Sequence, residues 1–312
     1  MINIRKNFLL IFKLSILIVT CYLVYKNLNN QENLVILIDQ LDYKYSIVIF
    51  ILFIIASHLQ IYITMNTIMM KLVKRLKFRY FAKLFFNSQI ISTILPHSGL
   101  VYRAYELKKI DLSYTDFIGV NYFLAWFYLF FSLILYSIEI LIFGLELENY
   151  RYILFIFGIA TGLGTYFIPF LFLLIPRLNF KKKIVQKIYE KIRYIFLIPI
   201  EFKNNRFFKF LSINGLIGHI INFLLIYFTI KSVNIDLSIS QIVIFFVINS
   251  FLDQVPIIPK NLGISELVFG LVSSSMGLGF EVGLFIKLIL RCFSFINLIF
   301  FSIIYNLTLI KE

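Results

Sequence analysis

The sequence is 312 residues long, 60% hydrophobic and 18% aromatic, with 15% charged residues and a mean hydropathy of +0.90. A chain so poor in polar surface cannot close around a core in water without exposing large apolar patches, which excludes a soluble fold and leaves no stretch for a soluble catalytic domain. The formal net charge of +14 is gathered in the gaps between apolar segments. That pattern belongs to membrane orientation and anionic-lipid contact, so no nucleic acid partner is expected.

Taken in order, the apolar segments predict an all-α, polytopic transmembrane helix bundle, with the whole of 1–312 as a single integral membrane domain. A bilayer core of about 30 Å needs roughly 20 apolar residues per crossing helix. Segments 8–25, 46–70, 117–143, 152–175, 210–230 and 281–309 meet that length. The first follows Arg5 and Lys6 but is interrupted by Lys13 and lacks a small-x-small cleavage site, so it reads as a retained signal anchor. Two further apolar regions, 84–96 and 239–278, are broken by Pro and Gly and carry polar residues at their centres. They read as re-entrant hairpins, tolerated where the broken backbone is buried in protein or lines a wet cavity, with two full spans in each as the alternative. Cys21 and Cys292 both fall inside apolar stretches, as free thiols and not as a redox or metal pair.

The positive residues orient the chain. Segment 71–83 holds Lys71, Lys74, Arg75, Lys77, Arg79 and Lys83, and segment 177–209 holds ten bases against two acids, so both are assigned to the cytoplasm. The loops 26–45, 144–151 and 231–238 hold four bases between them and are assigned outside. With both termini cytoplasmic in an inner (cell) membrane, 84–116 must return to the cytoplasm and 239–280 to the outside. Broken segments at corresponding places with opposite orientation are the sign of an inverted repeat. Within the second basic gap, Ile184, Val185, Ile188, Ile192 and Ile195 recur at helical spacing against Lys181, Lys182, Lys183, Lys187 and Lys191. Segment 181–196 is therefore expected as an amphipathic cytoplasmic helix on an anionic lipid surface.

Ionisable residues within apolar segments are costly and mark function by default. In the run Pro96-His97-Ser98-Gly99 through Arg103, proline ends a short helix, glycine permits a reversal, and Arg103 lies one turn into the next helix. Asp253 to Glu266 repeats the design with Pro259, Gly263 and Glu266. Lys287 and Arg291 stand one turn apart on the last span. His58, His97 and His219 have no acid or cysteine at metal-ligand spacing, so no metal or other cofactor is expected. Glu139 is expected to snorkel from the outer end of its span.

The order of Pro96, Gly99 and Arg103 early, Pro259, Leu262, Gly263 and Glu266 late, and Arg291 in the final helix resembles the transmembrane region of lysylphosphatidylglycerol synthases and their stand-alone flippase-like relatives. In that family the late motif reads Pro-Gly-Gly-x-Gly-x-x-Glu; here Lys260 and Asn261 replace its first two glycines, and Leu100 stands where the early motif often has an acid. The resemblance implies a flippase-like module that binds or moves a lipid with a charged headgroup between leaflets, an aminoacyl-phospholipid or a polyprenyl-phosphate-linked lipid. Pro96, Gly99, Arg103, Pro259, Gly263, Glu266, Lys287 and Arg291 are its expected substrate-binding residues. No synthase domain is read in these residues, so lipid aminoacylation is not expected of them and a separate lipid-modifying enzyme is the expected partner. The alternatives are an embedded lipid-linked transferase with Asp253 or Glu266 as base, and a small-solute secondary transporter.

The threading is tested by cysteine labelling in a background lacking Cys21 and Cys292. A cysteine at Lys77 or Lys187 is expected to react only from the cytoplasmic side, and one at Asp42 or Glu148 only from outside. External labelling of the 177–209 gap overturns the orientation.

Overall fold

A computed structural model of the chain describes residues 39, 41–72, 75–94, 98–144, 150–174, 183–202, 205–254 and 261–308. Among the described residues there are ten helices and no strand: α1 Tyr43–Met69, α2 Phe78–Ile94, α3 Ser98–Lys108, α4 Tyr114–Phe143, α5 Tyr150–Leu174, α6 Lys183–Glu201, α7 Asn205–Ser232, α8 Ile239–Gln254, α9 Ile264–Ser275 and α10 Phe280–Thr308. Five of them, α1, α4, α5, α7 and α10, are long and apolar enough to cross a membrane. They are the spans expected from 46–70 onward, with ends shifted by a few residues. The segment 8–25 lies outside the described residues. The chain is thus an all-α, polytopic integral membrane protein.

Both broken regions are helix–break–helix pairs, α2–α3 and α8–α9, the first beginning earlier and ending later than the 84–96 expected. At 1.5 Å per residue, the 16 residues of α8 and the 12 of α9 reach about 24 Å and about 18 Å, short of a hydrocarbon core. The contact pattern divides the chain into two compact units. One takes Met1–Ile55, Gln89–Gly99 and Asn222–Ile304, and the other takes Ala56–Ser88, Leu100–Ile221 and Tyr305–Glu312.

In the second unit α4 starts at Ser113, whose hydroxyl accepts from the Asp116 amide at 3.0 Å while Asp116 sits at the positive helix end. Its partner α5 approaches through small residues. A Cβ on Gly158 would lie 2.0 Å from Ser137 Oγ, and one on Gly162 would lie 3.1 Å from Ile134 Cγ1. This small-xxx-small face lets backbones close where lipid offers no hydrophobic drive. The rest of α5 is turned outward, with Ile153, Ile156 and Phe157 each more than 60% exposed, a surface suited to hydrocarbon and not to water.

Pro169 inside α5 has no N–H, so the carbonyl of Thr165, four residues back, loses its helical donor. The indole of Trp126 on α4 donates to that oxygen at 2.9 Å. The proline and the chain's single tryptophan are therefore complementary parts of one contact.

The amphipathic helix is α6, running on to Glu201; Lys181 and Lys182 lie outside the described residues. Its C-terminal half packs on α4 and α5, where the Phe196 ring stacks 4.1 Å from Phe172 and meets Tyr122 at 4.8 Å. A polar chain holds it in place. The Lys71 ammonium donates to Glu201 at 2.7 Å and to Tyr194 at 3.1 Å, and the Tyr194 hydroxyl donates to Asp116 at 2.6 Å. Partial burial disfavours the Lys71 charge, but these hydrogen bonds outweigh it and raise its pKa above the ordinary lysine value. In the N-terminal half Ile184, Val185, Ile188 and Ile192 stay exposed beside exposed Lys183, Lys187 and Lys191.

Trp126→Phe is expected to leave the Thr165 carbonyl buried without a donor and to lower stability by about 1–3 kcal/mol. Adding Pro169→Ala restores a backbone donor to that oxygen, so the double variant should regain most of the loss. Thermal unfolding in detergent of the two single variants and the pair measures this coupling.

Candidate functional site

The second break, in the first unit, is built by backbone conformations that few residues tolerate. Asn261 has φ +50° and Gly263 has φ +82°. Asparagine enters the left-handed region more readily than other side-chain-bearing residues, which accounts for its standing where the resembling family has glycine. Its amide does further work, since Nδ2 donates to the Leu252 carbonyl at the end of α8 and ties the two halves of the hairpin.

The chain then enters α9 with no side-chain cap on Gly263, which has no side chain to offer. Glu266, at the third position of the helix, supplies the reciprocal half of a capping box: its Oε2 accepts from the Gly263 N–H at 2.8 Å. Glu266 is buried, and its second oxygen lies 2.7 Å from Arg291 Nε on α10. That contact is an ion pair and not an aligned hydrogen bond, because Oε1 has no donor pointing at it. Arg291 also donates from Nη2 to Ser265 Oγ at 2.7 Å and, more weakly, to the Asn261 carbonyl at 3.5 Å. The single hydrogen of the Ser265 hydroxyl serves either the Asn261 carbonyl at 3.0 Å or Glu266 Oε2 at 3.1 Å.

One turn earlier on α10, the buried Lys287 donates to Asn249 Oδ1 at 2.5 Å, lies 3.9 Å from Asp253 Oδ1, and sits 5.2 Å above the Phe269 ring. Asn249 in turn donates to Asp253 at 3.2 Å. Two cations on α10 thus face two carboxylates, one from α8 and one from α9. The close approach of α9 and α10 depends on glycine: a Cβ on Gly283 would fall 2.0 Å from the Phe269 carbonyl oxygen, and one on Gly270 would fall 2.4 Å from the Phe280 ring.

At the first break, the Ser98 hydroxyl donates to the Ile91 carbonyl at 3.1 Å, and the Gly99 N–H donates to Ser92 Oγ at 3.1 Å. Gly99 is buried in the first turn of α3 and is not among the positive-φ glycines, so the reversal expected of it does not fall there. Pro96 and Pro259 lie outside the described residues.

Arg103 belongs to the second unit and differs from Lys287 and Arg291. It is buried, its guanidinium lies 5.3 Å from the Phe85 ring, and its Nε has no hydrogen-bond partner among the described residues. The same two helices, α2 and α3, line a cavity of about 320 Å³ with Tyr80, Lys83 and Leu84 on one side and Tyr102 and Glu106 on the other. Glu106 is paired with Lys109 at 2.8 Å.

The structure therefore brings Gly263, Glu266, Lys287 and Arg291 into one cluster, and describes Arg103 separately with its own surroundings. Sequence reading missed Asn249 and Ser265, whose polarity inside apolar helices was the available signal. It also missed the partner of Glu139, whose Oε1 lies 2.6 Å from His219 Nε2 on α7. Among the described residues no group of three acid, histidine or cysteine side chains is placed to hold a metal.

The cluster makes a clear stability expectation. Arg291→Ala leaves Glu266 buried without its counter-charge, a change that typically costs about 3–5 kcal/mol, whereas Arg291→Met combined with Glu266→Met removes both charges and should recover much of it. Folded yield and thermal unfolding in detergent compare them. A single variant as stable as the parent would show that the pair is not buried.

No curated protein and no solved structure matches the chain significantly. A family model does, over nearly the full length, and its span takes in both broken hairpins, the Arg291–Glu266 pair and Arg103. With residues 6–302 matched to the lysylphosphatidylglycerol synthase TM region, the chain belongs to that family of membrane proteins.

Proposed function

We propose that the protein binds a lipid with a charged headgroup and passes that headgroup between leaflets. The observation that carries this reading is Arg103. Lys287 and Arg291 have carboxylate neighbours within the chain, but the buried Arg103 guanidinium has only an aromatic face and lacks an anion among the described residues. A buried cation left this way is costly unless an anion visits it, and a phosphate presents the oxygens that a guanidinium fork matches. The α2–α3 cavity beside the same helices gives a headgroup room, with Lys83, Tyr80 and Tyr102 as further donors.

The cluster at the second break has a supporting role in this reading. Its charges balance, so Gly263, Glu266, Lys287 and Arg291 hold α8, α9 and α10 in register about a broken backbone, and Gly99 belongs to the packing of the first break. An embedded transferase is less well supported, since Glu266 is occupied by the Gly263 amide and by Arg291 and is poorly placed to act as a base. The same reading sets the chain in the inner membrane with cytoplasmic termini and the two broken pairs as an inverted repeat. It lays the exposed isoleucines and lysines of α6 on the anionic cytoplasmic leaflet, and it leaves synthesis of the lipid to a separate enzyme.

The test is leaflet exchange of a fluorescent phosphatidylglycerol in vesicles reconstituted with the full chain. Arg103→Gln is expected to slow exchange about tenfold or more, as loss of one charge-assisted hydrogen bond of about 1.5–3 kcal/mol would do. The same variant should unfold at an equal or higher temperature, because it removes an uncompensated buried charge. Undiminished exchange in a folded Arg103→Gln protein refutes the reading, and a fall in stability matching the loss of exchange assigns Arg103 to structure.

A further inference from the structure

Glu139 and His219 form a part-buried acid–base contact in the second unit, and nothing in the proposed lipid binding uses it. His219 stands at the midpoint of the apolar segment Arg206–Ser232, and Glu139 projects from α4, also long and apolar enough to cross. Glu139 Oε1 and His219 Nε2 are 2.6 Å apart, with side-chain exposures of 21% and 9%. The ring of Tyr136, one turn before Glu139, lies against the imidazole at 5.2 Å. The second carboxyl oxygen, Oε2, is buried and has no hydrogen-bond partner among the described residues.

We infer that Glu139 and His219 make an exchangeable single-proton site inside the membrane, the binding site of a coupling proton. Charge counting in a poor solvent supports it. With one proton shared between them, the pair is neutral overall, either as carboxylic acid and imidazole or as carboxylate and imidazolium, and the two forms differ by a shift of that proton between Oε1 and Nε2. Losing the proton leaves a net negative charge among apolar spans, and gaining a second leaves a net positive one, both disfavoured there. The site therefore holds one proton while sealed and can release it when it meets water, which is the behaviour a coupling ion needs.

Chemistry separates this pair from the Arg291–Glu266 contact. Guanidinium keeps its proton at any physiological pH, so that pair is permanent, whereas imidazole and carboxyl both titrate. Few charged or titratable groups stand on the described parts of α7 and α5 around the pair. From Ser212 to Ile226 α7 carries no titratable residue except His219. On α5, packed against α4, the charged residue is Arg151 near the helix start, which donates to Tyr152 at 2.9 Å and stacks on its ring; Tyr150 and Tyr166 are the other titratable groups of that helix. Tyr194 and Asp116 are engaged with each other at the opposite end of α4. Among the described residues two ligands do not make a metal site, and a proton is the cation this geometry fits.

The step balances simply: a proton from water adds to the carboxylate–imidazole pair and returns to water on release, with no other bond made or broken. The full chain in lipid nanodiscs, compared by infrared difference spectroscopy between acidic and alkaline buffer, should show uptake of one proton by a carboxyl–imidazole pair. Glu139→Gln should remove the carboxyl bands of that signal and His219→Gln its imidazole bands. Because either change alone can leave a partner buried without its mate, Glu139→Gln with His219→Gln, which keeps a neutral hydrogen bond, is the variant that should lose both sets of bands. In vesicles, an imposed pH gradient should change the rate of phosphatidylglycerol exchange severalfold for the parent chain and not for the double variant. A parent spectrum identical to that of the double variant overturns the proton site. Gradient dependence surviving in the double variant overturns coupling through it. No exchange under any gradient overturns the translocation reading and the coupling together, while the infrared result decides the proton site by itself.

Discussion

A charge carried into hydrocarbon must find its opposite within the protein, and the ion pair between Arg291 and Glu266 is where this chain meets that demand most directly. Glu266 answers two needs with its two oxygens. One caps the exposed N–H at a helix start that glycine leaves uncapped, and the other neutralises an arginine from the last span. The break after α8 can exist only because these needs are met together. Without Glu266 the amide of Gly263 would lose its acceptor and the guanidinium of Arg291 its counter-charge.

The same accounting governs the backbone elsewhere. Pro169 interrupts α5 and Trp126 meets the carbonyl it frees. At the first break Ser92 and Ser98 exchange hydrogen bonds with the opposing helix ends. At Pro169 and at the two breaks a polar side chain from another turn or another helix thus meets a backbone group that the interruption frees.

Against that background the exceptions carry the functional argument. Arg103 is buried over Phe85 with its Nε unpartnered among the described residues, and Glu139 Oε2 is buried beside a titratable partner. One suits an anion that arrives from outside the chain and the other a proton that comes and goes. A translocator of charged lipid driven by protons would use both.

Much of this was legible in the sequence, because the bilayer turns composition into structure: the spans from 46–70 onward, the amphipathic helix and the two Pro/Gly-broken regions follow from hydrophobic length and periodicity alone. The special residues at the second break were legible as well, since Gly263 and Glu266 sit where left-handed backbone and a reciprocal cap are required. Side-chain partnership was not. Gly99 resembled Gly263 in its motif, yet only Gly263 has a positive φ. Glu139 looked free to reach the interface until the fold placed His219 beside it, 80 residues further along the chain. By itself the sequence determined where helices run and where they break, because those depend on local hydrophobicity and backbone freedom. Only the tertiary structure decided which buried charges are answered and which are left open, because that depends on helices distant in sequence meeting at the same depth.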